Sequence, residues 1–492
     1  MKKIQLTIIL MFFLICNQLG AQSMHKSAFR MVEDGGPFEH TLYGNGIVDM
    51  LSKDSVLWVA TGYGLSKAVF NAKTGDWDWT TFTEKDYIGK GGVSAMGYMD
   101  AQTFWVATAF DTVTSASEES LPAGSGLSYT RDGGKTWHHV PQPVDSKDEQ
   151  GYAPTTTVIQ NLTYDIAFVD STIWIASFGG GLRRSDDMGQ TWEVVTTDGK
   201  PFSSLNNLNH RVFSLLSVND TALWVGSAEG ISKSNDNGQT WQRFVFEEDN
   251  PNSITGNFVV ALAYQPAANA VWAATIQAED TAETRGVSVT YDGGKTWQRR
   301  LVDEDVFAHN FAFYGYDAFV ATDKGMYWYS AQQEKWNNLT DIQDFESGNE
   351  IFQPEYYSVA VQEWGQHAFL WVGNSDGLAV RDLMNPSAPW KVIRSFVSTK
   401  IRKKPAVYAY PSPFSPSRHL YIRFEYDRDK HLDEPIKIYD FAMDPVAEIP
   451  VGDLKPKWDG KNSRGDTVAS GVYFFRAKVD GKVTWGKIVI IN

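Results

Sequence analysis

Apolar residues along the chain fall in short strand-length runs, and one arrangement of them returns seven times. It is an apolar–Trp–apolar strand followed by a Gly–apolar pair that opens the next strand. The copies read LWVATGYGLSK at 57–67, FWVATAF and GLSYT within 104–130, IWIASFGGGLRRS at 173–185 and LWVGSAEGISKS at 223–234. VWAATIQ and GVSVT within 271–290, AFVATDKGMYWYS at 318–330 and LWVGNSDGLAVRD at 370–382 complete the set. Trp58, Trp105, Trp174, Trp224, Trp272, Phe319 and Trp371 hold the same place, 47 to 69 residues apart. A repeat of about 40–50 residues fits a four-stranded propeller blade, so the pattern predicts an all-β chain with a seven-bladed β-propeller over 22–396.

Within a unit, strand a is an apolar stretch, strand b carries the Trp, strand c follows the Gly, and strand d begins at a second aromatic. Four units join c to d through one turn: TRDGGKTW at 130–137, SDDMGQTW at 185–192, SNDNGQTW at 234–241 and TYDGGKTW at 290–297. The other three keep only Trp79, Trp336 and Trp390. The carboxylates of Asp132, Asp187, Asp236 and Asp292 are expected to accept N–H bonds from their own turns. Gly134, Gly189, Gly238 and Gly294 supply positive φ, and Trp137, Trp192, Trp241 and Trp297 pack beneath. These turns resemble the Asp-box or BNR repeat found in sialidases, endo-xyloglucanases, sortilin-type receptors and photosystem II assembly factors. The resemblance implies the fold and a structural role for these residues. A family that spans enzymes, receptors and assembly factors leaves function open.

Short a–b turns and the c–d boxes share one rim; every long insertion falls on the opposite, loop-rich rim, where function usually sits. These insertions are 111–125, 141–160, 194–209, 245–256, 276–285 and 337–354. Their acidic residues include Asp111, Glu118, Glu279 and Asp280, which could work as acid and base on a glycoside; the alternative is a solvated acidic loop. Tyr63, Tyr87, Phe178, Glu229 and His210 are the binding candidates near the same rim. His210 and His309 have no Cys or His at ligand spacing, so no metal and no cofactor is expected. The Arg-Ile-Pro or Arg-Leu-Pro tripeptide that opens the arginine triad of Asp-box sialidases is absent. No nucleophile elbow, Walker loop or H-E-x-x-H helix occurs.

Composition sharpens this picture. Eighteen Trp, 21 Tyr, 28 Phe and 41 Gly suit many short strands and tight turns. The net charge is −15, and residues 22–390 alone carry 23 basic against 47 acidic side chains. Such a surface repels nucleic acid. Lys2 and Lys3, an apolar run from Ile8 to Ile15, and Gly20-Ala21 read as a signal peptide over 1–21. No later run reaches the length of a membrane helix. Cys16 is the only cysteine, so the exported chain relies on burial and strand pairing.

Past Trp390 a basic, Pro-bounded stretch makes a linker over 397–407. Strand-like alternation follows at 421–426, 436–441, 471–479 and 485–491, predicting a small β-sandwich over 408–492. YPSPF, IKIYD, WDGKNSRGDTVASGVYFFRAK and GKIVIIN resemble the Ig-like domain of flagellar hook-capping proteins and the type A sorting domain of the type IX secretion system. The resemblance implies a sorting or anchoring module whose partner is the outer-membrane secretion machinery of a Gram-negative bacterium. The expectation is then a secreted or cell-surface binding protein for an extracellular glycan or protein. The alternatives are a secreted Asp-box glycoside hydrolase and an extracytoplasmic assembly factor.

Overall fold

The computed structural model describes residues 42–491 except 115–116, 146–155, 278–281, 346–348, 352–353, 386, 396–406, 411, 417–420, 427–430 and 453–455. The chain is all-β. The first repeat forms an antiparallel sheet of four strands in sequence order: Ile47–Lys53, Val56–Thr61, Gly64–Asn71 and Asp76–Phe82. Six more sheets of the same kind occupy 92–140, 163–195, 212–244, 258–300, 308–339 and 356–393. Strand a of each lies against strand a of the next, and strand a of the seventh returns to that of the first. The sheets therefore form a closed ring with the a strands innermost.

The repeated aromatic of strand b is what each sheet buries. Trp58, Trp105, Trp174, Trp224 and Trp371 are among the largest fully buried side chains, and Trp272 and Phe319 are buried with them. Side chains join the seventh sheet to the first. Ser52 donates to the Val361 carbonyl, and Trp77 and Trp371 both donate to Gln362 Oε1, at 3.1 and 3.2 Å. Residues 1–21, and Met31 to Glu33, which could add an outer strand to the ring, lie outside the described residues.

Three local expectations change. Trp77, two residues before the expected Trp79, is the buried aromatic of the first strand d, because Trp77 sits edge-on to Trp371 at 4.7 Å. Residues 111–125 are no irregular loop. Strands Phe104–Thr114 and Ser117–Thr130 continue pairing outward as one long hairpin. The 337–354 segment likewise contains a two-stranded hairpin, Ile342–Asp344 with Asn349–Ile351.

The tail folds as two sheets. Val407–Tyr410, Ile422–Tyr426 and Lys457–Trp458 make one; Pro445–Ile449, Ile436–Tyr439, Gly471–Val479 and Lys482–Ile490 make the other. Both contribute to one core around Phe414, Phe424, Ile438, Phe475 and Ile488. Trp458 and Tyr473 close it in a T-shaped pair 6.0 Å apart.

Candidate functional site

Every strand a carries a register break at the same place, where its first residues face the end of strand b. One extra residue is inserted there in each sheet: Val48, Ser94, Tyr164, Phe213, Val260, His309 and Tyr357. A bulge bends the strand and re-aims the inserted side chain. Because strand a begins at the loop-rich rim, all seven bulges sit at that end of the ring, its mouth; Val48 packs into the core with Trp58 and Ser94 is fully buried, while Tyr164, Phe213, Val260 and Tyr357 are half-buried. One residue further in, polar groups tie the a strands together. Asp49 accepts from Asn310 Nδ2 at 3.1 Å and from Ser358 Oγ at 3.4 Å, and Asp165 accepts from the Leu215 amide at 2.8 Å.

On one side of the mouth the bulged residues build an aromatic arc. Phe213 lies 5.5 Å from Tyr164, 6.2 Å from Phe178 and 4.6 Å from Phe258. Val260 and Phe307 pack against the same small cluster. His309 continues it, 4.5 Å from Phe307 and 5.5 Å from Tyr357. Tyr164, Phe178, Phe213, Phe307 and Tyr357 are half-buried, while Phe258 and His309 are buried. Arg211 stacks over Phe178 at 5.3 Å while donating to the Ser204 and Leu205 carbonyls, which fixes the preceding loop.

Carboxylates gather beside the His309 end. Tyr357 donates to Glu355 at 3.1 Å, and His309 Nε2 is 3.6 Å from the other Glu355 oxygen. Burial holds the Asp323 carboxyl above its usual range, against a hydrogen bond from the Phe307 amide. Desolvation also pushes the Tyr164 phenol up to about 12, so it is neutral at any physiological pH. The arc thus joins apolar ring faces to hydroxyl, imidazole and carboxyl groups, a combination suited to sugar rings or to an extended peptide. Among the described residues no three His, Cys, Asp or Glu side chains are grouped so as to hold a metal ion.

Of the sequence candidates, only Phe178 joins the arc. His210 is buried, accepts the Ser203 amide at Nδ1 (2.9 Å) and meets Asp198 at 3.0 Å through Nε2, so it pins the 194–209 loop. Glu229 is a surface ion-pair partner of Arg243 at 3.1 Å. Tyr87 is 74 % exposed on the loop-rich rim, apart from the arc. Asp111 and Glu118 lie on the two strands of one hairpin. Glu279 and Asp280 lie outside the described residues. The bulge residues escape sequence reading because the a strands carry apolar residues on both faces, so the one-residue phase shift of a bulge does not stand out. His309 was visible only as a polar residue in strand a.

The Asp boxes are on the opposite rim and are structural in their geometry. Asp236 accepts the Thr240 amide at 2.9 Å and the hydroxyls of Thr240 and Ser234 at 2.5 and 2.7 Å; Asp187 and Asp292 repeat the pattern. The threonine hydroxyl bond leads in holding these three carboxyls down at about 2. Asp132 makes the same bonds and is lowered for the same reason. Each box also reaches the preceding sheet. Trp137, Trp241 and Trp297 stand edge-on to Trp58, Trp174 and Trp224 at 6.2, 6.4 and 6.2 Å. The strand-c cations Lys67, Arg184 and Lys233 donate back to the box carbonyls of Gly133, Asn237 and Gly293.

The tail sandwich touches the loop-rich rim. Asp376, in the b–c turn of the seventh sheet, pairs with Arg394 at 2.9 Å and with Arg423 of the sandwich. Lys457 of the sandwich pairs with Glu350 at 3.2 Å. The Asp376, Arg394 and Arg423 side chains are all more than nine-tenths buried. Tyr410 lies under the Arg423 guanidinium, and burial, then the Asp376 charge, raises its phenol; Tyr63 also acts on it. Tyr63 lies in the b–c turn of the first sheet, its ring against Gly44.

Residues 128–139 match the BNR/Asp-box repeat. No curated protein matches the chain. Among solved structures, it is similar to PorZ, a surface component of the type-IX secretion system of Porphyromonas gingivalis. That likeness has 13% identity over 91% of this chain and 66% of that one, with a TM-score of 0.41, so this chain spans just under two thirds of PorZ. It is also similar to the GH74 xyloglucanase of Xanthomonas campestris, at 13% identity over 93% and 68% of the two chains (TM-score 0.48). YCF48 of Cyanidioschyzon merolae gives 12% identity over 70% and 96% (TM-score 0.43). Among the described residues, no helix is long and apolar enough to cross a membrane.

Proposed function

We propose that the chain is an exported, seven-bladed propeller that binds a glycan or a protein segment at the mouth of its loop-rich rim. The Ig-like sandwich over 408–492 serves its delivery to, or its anchoring at, the outer surface of a Gram-negative cell. The aromatic arc of Tyr164, Phe178, Phe213, Phe307, His309 and Tyr357 carries this reading, since it runs from the third sheet round to the seventh and ends in hydrogen-bonding groups. Affinity comes from shape and stacking on a preformed surface. The test is binding of the full chain to a glycan array and capture from outer-membrane extracts. Phe178→Ala should weaken whatever is retained by about tenfold at an unchanged melting temperature. Unchanged retention would remove the arc from the account.

One observation favours a hydrolase as the second reading. Asp323 is held protonated to higher pH than an ordinary carboxyl, as a general acid requires, close to the Glu355 end of the arc. Reducing-end release from a polysaccharide panel, abolished by Asp323→Asn, would establish it; no release from any member of the panel would dismiss it.

A further inference from the structure

Three joints of the ring, fifth to sixth, sixth to seventh and seventh to first, lack a box, and the fifth-to-sixth joint carries a pocket. Where a box follows, its Trp packs against the preceding sheet, and at three of the four such joints a strand-c cation donates to the turn; at the second-to-third joint Tyr129 faces Trp105 instead. At the fifth-to-sixth junction both halves of this device are missing. The residue paired with Trp272 is Val289, where the equivalent positions opposite Trp58 and Trp224 are Lys67 and Lys233. The sixth sheet turns from c to d through Ala331-Gln-Gln-Glu, without the Asp, Gly or Thr of a box. Trp336 still stands edge-on to Trp272 at 6.4 Å; Trp272 is itself buried and Trp336 is half-buried.

The result is an open pocket of about 440 Å³ on the box rim, lined by Trp272, Tyr291, Arg300, Tyr316, Tyr329 and Trp336 with small Ala residues between them. Tyr291 and Tyr316 are 45 % and 64 % exposed and form its lips. No carboxylate lines it, although the ring around it is strongly acidic. The Gln265 amide, bonded to Trp272 Nε1 at 3.0 Å and the Gly315 carbonyl at 3.0 Å, sets the floor. Aromatic walls offer flat faces to the C–H side of a sugar ring, the phenols offer hydrogen bonds, and the Arg300 guanidinium, already donating to the Arg299 carbonyl and Gln298 Oε1, offers its charge and remaining N–H groups to a carboxylate. The volume is in the range of small-ligand sites.

We infer that this pocket is a second binding site, for an acidic saccharide, with Tyr291, Tyr316 and Trp336 holding the ring and Arg300 the carboxylate. It lies on the opposite rim from the mouth and stands independently of the function proposed there. The probe is tetragalacturonate, titrated calorimetrically into the full chain, with maltotetraose as the neutral control. Binding of tetragalacturonate in preference to maltotetraose is expected. Tyr316→Ala should weaken it about tenfold, and Arg300→Gln should abolish the preference while leaving the melting temperature unchanged. Phe178→Ala at the mouth should leave the titration as it was. Failure of the full chain to bind tetragalacturonate overturns the inference. So does binding that survives Tyr316→Ala but is lost in Phe178→Ala, which would place the sugar at the mouth.

Discussion

Asp187 and Asp236 are half-buried and Asp292 is exposed, and each is committed to its own turn: one oxygen takes an amide and both take hydroxyls. Those bonds stabilise the charged form, so the folded-state value lies near 2, below the ordinary 3.8. A depressed carboxyl contributes stability that is fully present above its unfolded value and is lost as pH falls through the folded one. The full chain should therefore lose melting temperature between about pH 4 and pH 2. The triple variant Asp187→Asn, Asp236→Asn, Asp292→Asn should be less stable at pH 7 and flatter across that window. Thermal unfolding against pH measures both; parallel curves for the two proteins would contradict the assignment. These carboxylates were legible in the sequence because all their partners lie within four residues. Asp323 was not, since its environment is built by Phe307, His309 and Lys324 across two strands and a turn.

At the scale of elements, the joint between sheets is a Trp from strand d set edge-on against a Trp from the preceding strand b. Trp297 is 3 % exposed and packs on both Trp224 and Phe244. Trp297→Ala should cost about 3–5 kcal/mol, read by denaturant unfolding. A cost under about 1 kcal/mol would show that the box turn alone holds the joint. The repeat made both aromatics visible, but not that they belong to neighbouring sheets, because sequence order does not say which face meets which. Trp77 shows the same limit: Trp77 and Trp79 share one strand face by period two, and only the position of Trp371 selects between them. Bulges were hidden for a related reason. Val212 to Leu216 reads as a plain apolar strand, and only pairing with strand b reveals Phe213 as the extra residue. The length and polar content of 111–125 point to a loop. Continuous pairing of the two strands, Asp111 with Pro122 and Val113 with Ser120, keeps it extended.

The whole molecule couples ring and tail through a buried charge cluster. Asp376 sits between Arg394 of the ring's last segment and Arg423 of the sandwich, while Glu350 receives Lys457. Removing Asp376 leaves two guanidinium groups buried side by side. Asp376→Ala should cost about 3–5 kcal/mol and expose the linker region to limited proteolysis sooner; an unchanged digestion course would mean the contact holds nothing. Residue types and the composition shift after Trp390 made a separate tail legible. Its seat on the rim was not, because Asp376 and Arg423 are 47 residues apart with nothing local to pair them. The sandwich sits on the sector of the rim around Asp376, and the proposed partner face is the aromatic arc at the mouth.

That claim is tested most directly by amide hydrogen exchange on the full chain, with and without the glycan or protein it retains most tightly. The account predicts slowed exchange at the starts of the third to seventh a strands, around Tyr164, Phe213, Val260, His309 and Tyr357, and in the turn carrying Phe178. Slowed exchange confined to the box turns, or spread evenly over both rims, would contradict it.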